Sequence, residues 1–183
     1  MNTPLLIMGQ QAYLQELQVK DILDNYVAWL NIPEANQYLE SRYQQQTIFS
    51  CIEFISGLPL QGNNCMWRIY FKTNHVYIGN IKLSPINALY KRVTIGLMVG
   101  NKDFWGRGIV TEVIKLVSNF VFTTLYLYKV NADCYESNVA SRATFLKAGY
   151  QIEGRLKDYY ILSDHYEDCL LLGKVSDQIS KDS

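Results

Sequence analysis

The sequence predicts a mixed α/β fold: a central twisted sheet of about six to seven strands, antiparallel at first and then parallel, flanked by about four helices. Three features of the 183-residue chain point to it. Residues 66–99 hold successive segments with the period of strands, as in an antiparallel meander. Strand and helix patterns then alternate, which is how parallel pairs are built. Between the two regions, Gly106-Arg107-Gly108 leads directly into a broad apolar helix pattern.

Taken in order, a short strand is expected over Tyr13 to Leu17, followed by a helix from about Val19 to Leu30. Ile22, Leu23, Tyr26, Val27 and Leu30 fall on one face of that helix. Pro33 suits the first turn of a second short helix. A third is expected over Thr47 to Ile55, with Thr47 as its cap. The meander comprises Met66 to Phe71, a turn at Lys72 to His75, Val76 to Leu83, and Tyr90 to Val99. The next helix, Ile109 to Thr123, presents Ile109, Val110, Val113, Ile114, Leu116, Val117, Phe120 and Val121, too wide an apolar face for a surface helix. A strand over Tyr128 to Tyr135 and a helix over Asn138 to Ala148 follow, with Gly149 as C-cap. Tyr150 to Arg155 and Tyr166 to Gly173 close the fold as a strand pair, before a polar tail from about Ser176.

No linker or repeat divides the chain, so residues 1–183 read as a single domain. Hydrophobic residues make up 49% and charged residues 19%, which excludes a disordered chain. Seventeen basic residues balance seventeen acidic ones, so no global field favours nucleic acid or a membrane surface. Met1 to Gln10 lacks the basic start and cleavage site of a secretory signal, and the expected compartment is the cytoplasm. Cys51, Cys65, Cys134 and Cys169 lack metal-ligand spacing and read as reduced thiols in or near the core. No metal is expected.

The most informative segment is Trp105-Gly106-Arg107-Gly108-Ile109-Val110-Thr111-Glu112, between a strand and the buried helix. Glycines at 106 and 108 allow successive N–H groups to face one concavity, and the first helical turn adds unpaired donors and its positive dipole end. A pyrophosphate fits such a place, with Arg107 at its rim and the Thr111 hydroxyl beside it. A tight strand-to-helix turn would use the same glycines. There is no P-loop lysine and no third glycine of a dinucleotide fold, which disfavours nucleoside triphosphates and NAD.

With Ile95-Gly96-Leu97-Met98-Val99 before it, and Asn138-Val139-Ala140-Ser141, Lys147-Ala148-Gly149-Tyr150 and Glu153-Gly154-Arg155 after it, this segment resembles the GNAT superfamily of acetyltransferases. The likeness runs from about Tyr13 to Val175 and is greatest to the branch of ribosomal-protein N-terminal acetyltransferases. It implies the GNAT fold and acetyl-coenzyme A as co-substrate. It implies further that Leu97, Met98 and Val99 clamp the pantetheine arm. The segment Trp105, Gly106, Arg107, Gly108, Ile109, Val110 and Thr111 would bind the pyrophosphate, and Asn138 and Ser141 would meet the pantetheine. Asn138 is equally suited to be a plain N-cap.

Direct acyl transfer needs a deprotonated amine, a donor for the developing oxyanion and an acid for the leaving thiolate. The family's usual tyrosine acid corresponds here to Phe145, and its usual strand carboxylate to Thr94. Ser141 and Glu136 are the substitutes expected as acid and base. His75 and His165 fall in turns and are expected to be solvated.

The resemblance puts the acceptor between the first helices and the last hairpin, which supply Tyr38, Glu40, Arg42, Tyr159 and Tyr160. Tyrosines and amides suit a polyhydroxylated ligand, and an aminosugar linked to a nucleotide, its diphosphate met by Arg42 or Lys157, is slightly favoured. A peptide N-terminus is the alternative, and an acyl-CoA-binding module without catalysis is a third reading. A polyamine is disfavoured because the sequence shows no concentrated acidic patch. The expected partner is thus a small-molecule or peptide amine, for a monomer or homodimer.

Overall fold

The structure, a computed structural model, describes residues 5–22, 24–60 and 63–177. Leu23 and the end of the polar tail lie outside the described residues.

Eight strands form one sheet in the order β1-β2-β3-β4-β5-β6-β8-β7. They are β1 (Leu6–Met8), β2 (Ala12–Glu16), β3 (Cys65–Phe71), β4 (Val76–Leu83), β5 (Arg92–Val99), β6 (Lys129–Tyr135), β7 (Gln151–Leu162) and β8 (His165–Val175). The helices are α1 (Asp24–Asn31), α2 (Pro33–Asn36), α3 (Ile48–Leu60), α4 (Ile109–Thr123) and α5 (Val139–Lys147). β5 and β6 are parallel and every other neighbouring pair is antiparallel. The expected change of direction is therefore confined to one seam.

Each face of the sheet is covered by helices. The sheet packs with α4, α5 and the inward residues Ile81, Ile95, Val130 and Leu172 in one core, where Val113, Ile114, Val117 and Val121 of α4 are fully buried. A second core joins Tyr26, Trp29 and Leu30 of α1 and Cys51, Ile55 and Leu58 of α3 to Met66, Tyr77 and Met98. Cys51, Cys134 and Cys169 are buried and all four cysteines are free thiols, as expected.

Three elements depart from the sequence expectation. Leu6–Met8 pairs with β2 as an extra edge strand, and Glu112 of α4 holds that hairpin by accepting hydrogen bonds from the N–H groups of Gln10 (2.5 Å) and Gln11 (3.1 Å). The helix expected from Val19 is a single 3-10 turn, Val19–Asp21, and α1 begins only at Asp24. β7 runs to Leu162 rather than ending near Arg155, because register shifts at Ile152/Gly154 and Leu156/Tyr160 absorb residues that break the alternation. Among the described residues no helix is long and apolar enough to cross a membrane.

Candidate active site

The seam between β5 and β6 opens into a cleft. The two strands are paired only over Arg92↔Lys129, Val93↔Val130 and Thr94↔Asn131. Beyond Thr94, β5 continues to Val99 on β4 alone, while β6 continues to Tyr135 on β8. The resulting cleft has a volume of about 1130 Å³ and is lined by both strands, α2, α3, α5 and the loop before α4.

The backbone of β5 is polarised toward this gap. Ser84 N donates to Thr94 O at 2.9 Å, so the antiparallel alternation turns Thr94, Gly96 and Met98 toward β4. Ile95, Leu97 and Val99 then present their N–H and C=O groups to the cleft side, where Val99 O accepts from Trp105 Nε1 at 2.9 Å. Among the described residues the Leu97 N–H and C=O have no partner on that side, and these are the two groups that an extended amide chain needs in order to add as a strand.

At the far end of β5 lies the glycine loop. Gly106 and Gly108 have φ of +71° and +78°, the left-handed region that glycine enters without strain. Among the described residues the N–H groups of 106–111 make no backbone hydrogen bond, and the first helical bond is Glu112 N to Gly108 O at 3.3 Å. Six consecutive donors are thus left without a backbone partner at the positive end of a 15-residue helix. That is the donor set a diphosphate requires, and an added Cβ at either glycine would enter open space rather than the core. Trp105, Gly106 and Val110 line the cleft; Arg107 lies outside with its guanidinium 5.3 Å over the Phe104 ring, and Ile109 is buried, contributing only backbone.

Across the gap, Asn138 is the N-cap of α5: its Oδ1 accepts from Ser141 N at 3.1 Å, which leaves Nδ2 as a donor. Ser141 lines the cleft and its hydroxyl has no partner among the described residues. Phe145 also lines the cleft, buried edge-on against Tyr150, and carries no exchangeable proton.

The acceptor end is walled by tyrosines. Tyr135 and Tyr160 stack at 3.9 Å, with Tyr38 against Tyr135 and Tyr159 against Tyr160. Tyr160 Oη donates to Asp133 Oδ2 at 2.6 Å, and Tyr135 Oη donates to Glu40 Oε1 at 3.1 Å. Burial raises the pKa of both phenols, that of Tyr135 to about 12 and that of Tyr160 further, so both keep their protons at neutral pH. Tyr38, Glu40, Tyr159 and Tyr160 thus meet in the cleft as the sequence grouped them.

Of the residues expected at the acceptor end and in the chemistry, Arg42 and Glu136 do not reach the cleft. Arg42 donates to Leu39 O, Tyr43 Oη, Tyr135 Oη and Ile161 O, so it ties the helical segment to β7 and is not free to bind a diphosphate. Glu136 turns away toward the last hairpin, where its Oε2 accepts from Arg155 Nη2 at 2.7 Å while Arg155 Nε pairs with Asp168. The reason is strand alternation: Glu136 follows Tyr135, whose ring occupies the cleft side. Asp133, two residues before Tyr135 on the same face, is the β6 carboxylate that lines the cleft. Asn131, Asp133 and Tyr135 alternate in sequence, but which face would open depended on where β5 and β6 part. His75 and His165 are exposed and lie outside the cleft. Among the described residues no cluster suited to a metal ion exists.

A strand that parts from its neighbour at a lined cleft, with an N–H cradle at a buried helix, is the site architecture of a coenzyme A-dependent acyltransferase. The model of the acetyltransferase (GNAT) domain family matches residues 12–151, and the chain belongs to that family. It is an acetyl-CoA-dependent N-acetyltransferase.

Among its relatives, an uncharacterised N-acetyltransferase of Bacillus licheniformis is 27% identical over 146 residues, 79% of this chain and 80% of the relative. The spermidine N-acetyltransferase of Vibrio cholerae, solved with CoA and spermine, superposes with a TM-score of 0.81 at 18% identity, covering 90% of this chain and 95% of that one. A ribosomal L7/L12 α-N-protein acetyltransferase solved with coenzyme A gives 0.82 at 18% identity, covering 94% and 98%. The expected fold is thereby established, with one more strand than the upper expectation.

Proposed function

We propose that the chain transfers the acetyl group directly to a small primary amine, with Asp133 as the base and Ser141 as the proton donor. The observation that carries this reading is the position of Asp133. Thr94, which stands where the family's usual carboxylate would be, pairs with Asn131 on the adjoining strand. Asp133 lies one step further along the same face of β6, so a carboxylate borders the opening from the opposite side.

When bound, acetyl-CoA supplies an acetyl thioester and carries away a thiolate. The N–H groups of 106–111 and the gap-facing backbone of Leu97 would hold it, together with Met98, Val99 and the Asn138 amide. Asp133 Oδ2 is occupied by Tyr160, which leaves Oδ1 without a partner among the described residues to receive a proton from the incoming ammonium. Tyrosine faces beside it suit a cation before that proton leaves. The Leu97 N–H would stabilise negative charge developing on the carbonyl oxygen. Ser141, one helical turn from Asn138, would pass its hydroxyl proton to the leaving sulfur and take up in turn the proton that the acylated nitrogen releases.

The aminosugar reading loses its support, because Arg42 is held by the protein itself and Lys157 does not line the cleft. Conversely Glu34, Glu40 and Asp133, scattered in sequence, all border the cleft, so the objection to a cationic amine no longer stands. The test is release of CoA thiol with a panel of primary amines. Turnover with amines, lost in Asp133→Asn, supports the proposal; undiminished turnover in that variant removes Asp133 as the base.

A further inference from the structure

Among the described residues that line the cleft, Lys82 is the one cation. It lies on β4, opposite Gly96 of β5, with its side chain on the face that carries α3. Among the described residues no carboxylate lies within 4.0 Å of its Nζ and no hydrogen-bond acceptor meets it, while the Phe54 ring lies 5.3 Å away. Lys82 is half-buried, and an unpaired ammonium loses hydration to the extent that it is buried. Here burial among α3 and β4 holds the lysine pKa below its usual value, with no anion to restore it.

Register places this cation in line with the proposed base. Lys82 is directly opposite Gly96 on the antiparallel β4–β5 ladder. Continuing the parallel register Thr94↔Asn131 by two residues sets Gly96 level with Asp133. Cross-strand partners point to the same face of a sheet, so Lys82, Gly96 and Asp133 form one row across the opening. Gly96 has no side chain, and an added Cβ there would meet nothing within 4 Å, so the sheet surface between the outer members of the row is open at Gly96. Two strand spacings, about 10 Å between Cα atoms before the splay is added, separate the outer members.

A second unpartnered donor stands beside Lys82. Asn80, one pleat along the same strand, is 2% exposed and lines the cleft. Its Oδ1 accepts from Tyr77 Oη at 3.0 Å, but its Nδ2 is buried without a partner. Buried amide donors are nearly always satisfied, and this one costs free energy unless a ligand or water meets it. The hydroxyl residues Ser84 and Thr94 line the cleft in the adjoining row. The β4 wall thus carries the Lys82 ammonium and the Asn80 amide donor, while Asp133 stands at the β6 wall.

We propose that the acceptor is a primary amine that also carries an anionic group, a carboxylate or phosphate, and that Lys82, with Asn80, binds that group. The inference rests on the acetyl-transfer reading above and specifies its substrate class. The amine end lies toward Asp133 and the tyrosines, and the anionic end lies over Gly96 against β4. The coenzyme's own phosphates do not account for Lys82, because their cradle lies past Val99, three residues further along β5 than the Gly96 opposite Lys82. Plain polyamines would place a second cation against Lys82, which is unfavourable in a cleft of low dielectric.

The test compares acceptors that differ only in the anion. Calorimetric binding to the CoA-loaded protein would use ω-amino carboxylates and ω-amino alkyl phosphates of graded length against alkylamines of equal length, alongside thiol release for each. The wild type is expected to bind one anionic series about tenfold tighter than the alkylamines, the worth of one charged hydrogen bond. Lys82→Met should abolish that preference, and Lys82→Arg should retain most of it, with circular dichroism confirming the fold of both. Whichever anionic series is preferred identifies the group. Equal binding of anionic and plain amines by the wild type, or a preference that survives Lys82→Met, overturns the proposal. Absence of turnover with preserved anion-dependent binding would instead overturn the catalytic reading and leave the role of Lys82 standing.

Discussion

Tyr160 Oη donates to Asp133 Oδ2 at 2.6 Å while its ring stacks on Tyr135 at 3.9 Å, so one hydrogen bond and one ring contact orient the carboxylate at the mouth of the cleft. A phenol whose pKa is raised by burial and by that same carboxylate remains a donor throughout the neutral range.

Asp133→Asn should therefore lower kcat by about a hundredfold, the usual contribution of a positioned base, while coenzyme A affinity measured by calorimetry stays within about twofold. A loss of affinity equal to the loss of rate would assign Asp133 to binding.

Glu136→Gln should behave differently. Its carboxylate is paired with Arg155 outside the cleft, so kcat is expected to remain within about twofold of wild type, since partly exposed ion pairs contribute little. A large fall in kcat with unchanged folding would restore Glu136 to the mechanism.

Gly108→Trp addresses the cradle. The added side chain meets open space, so its bulk occupies the concavity rather than the core. The φ of +78° adds strain of about 1–3 kcal/mol. Coenzyme A affinity should fall about a hundredfold, the worth of two or three net hydrogen bonds at about 1 kcal/mol each. Fluorescence or calorimetric titration would read it, and wild-type affinity would refute the cradle.

Gly100→Ala tests the packing that holds α1 over the sheet. A Cβ at this position would overlap the indole of Trp29, which is 8% exposed and packs 4.8 Å from Tyr77. Displacing that ring should cost about 1–3 kcal/mol, read as a lower urea midpoint with an unchanged slope. An unshifted midpoint would show that the second core tolerates the added methyl.

Asp168 sets the acid sensitivity of the last hairpin. The Asp158 N–H, at 2.9 Å, and then the Arg155 guanidinium hold its carboxyl below the usual carboxylate range. The unfolded chain thus takes up the proton at higher pH than the folded one. The stabilisation is complete above the unfolded pKa, about 3.9, and is lost as pH falls through the lower folded value. Thermal unfolding followed from neutral to acid pH should show a smaller acid decline in Asp168→Asn than in wild type; identical declines would contradict this assignment.

Several parts of the molecule were legible before any coordinates. β4 and α4 occupy the residues that periodicity assigned, because an apolar stripe and an alternating strand are local signals. The cradle was legible for a related reason: two glycines before a helix specify the conformation of their own backbone. β1 was missed because three apolar residues have no period, and its clamp, Glu112, lies a hundred residues away. β7 was cut short at Arg155, because only pairing with β8 through two irregular registers carries the strand on to Leu162.

The acetyltransferase family was thus determined by the sequence itself, and the conformation of the glycine loop before α4 was legible there, through motifs whose physics is contained within a few residues. Tertiary structure alone decided which carboxylate faces the cleft and what stands opposite it. Glu136 and Asp133 are three positions apart on one strand or its exit, and strand alternation together with the parting of β5 from β6 sends one to Arg155 and the other to the opening. Lys82 and Asp133 are brought into one row by the registers of two ladders, and the absence of a side chain at Gly96 leaves the sheet surface between them open at that residue. Register is a property of paired strands, and no window of a single strand contains it.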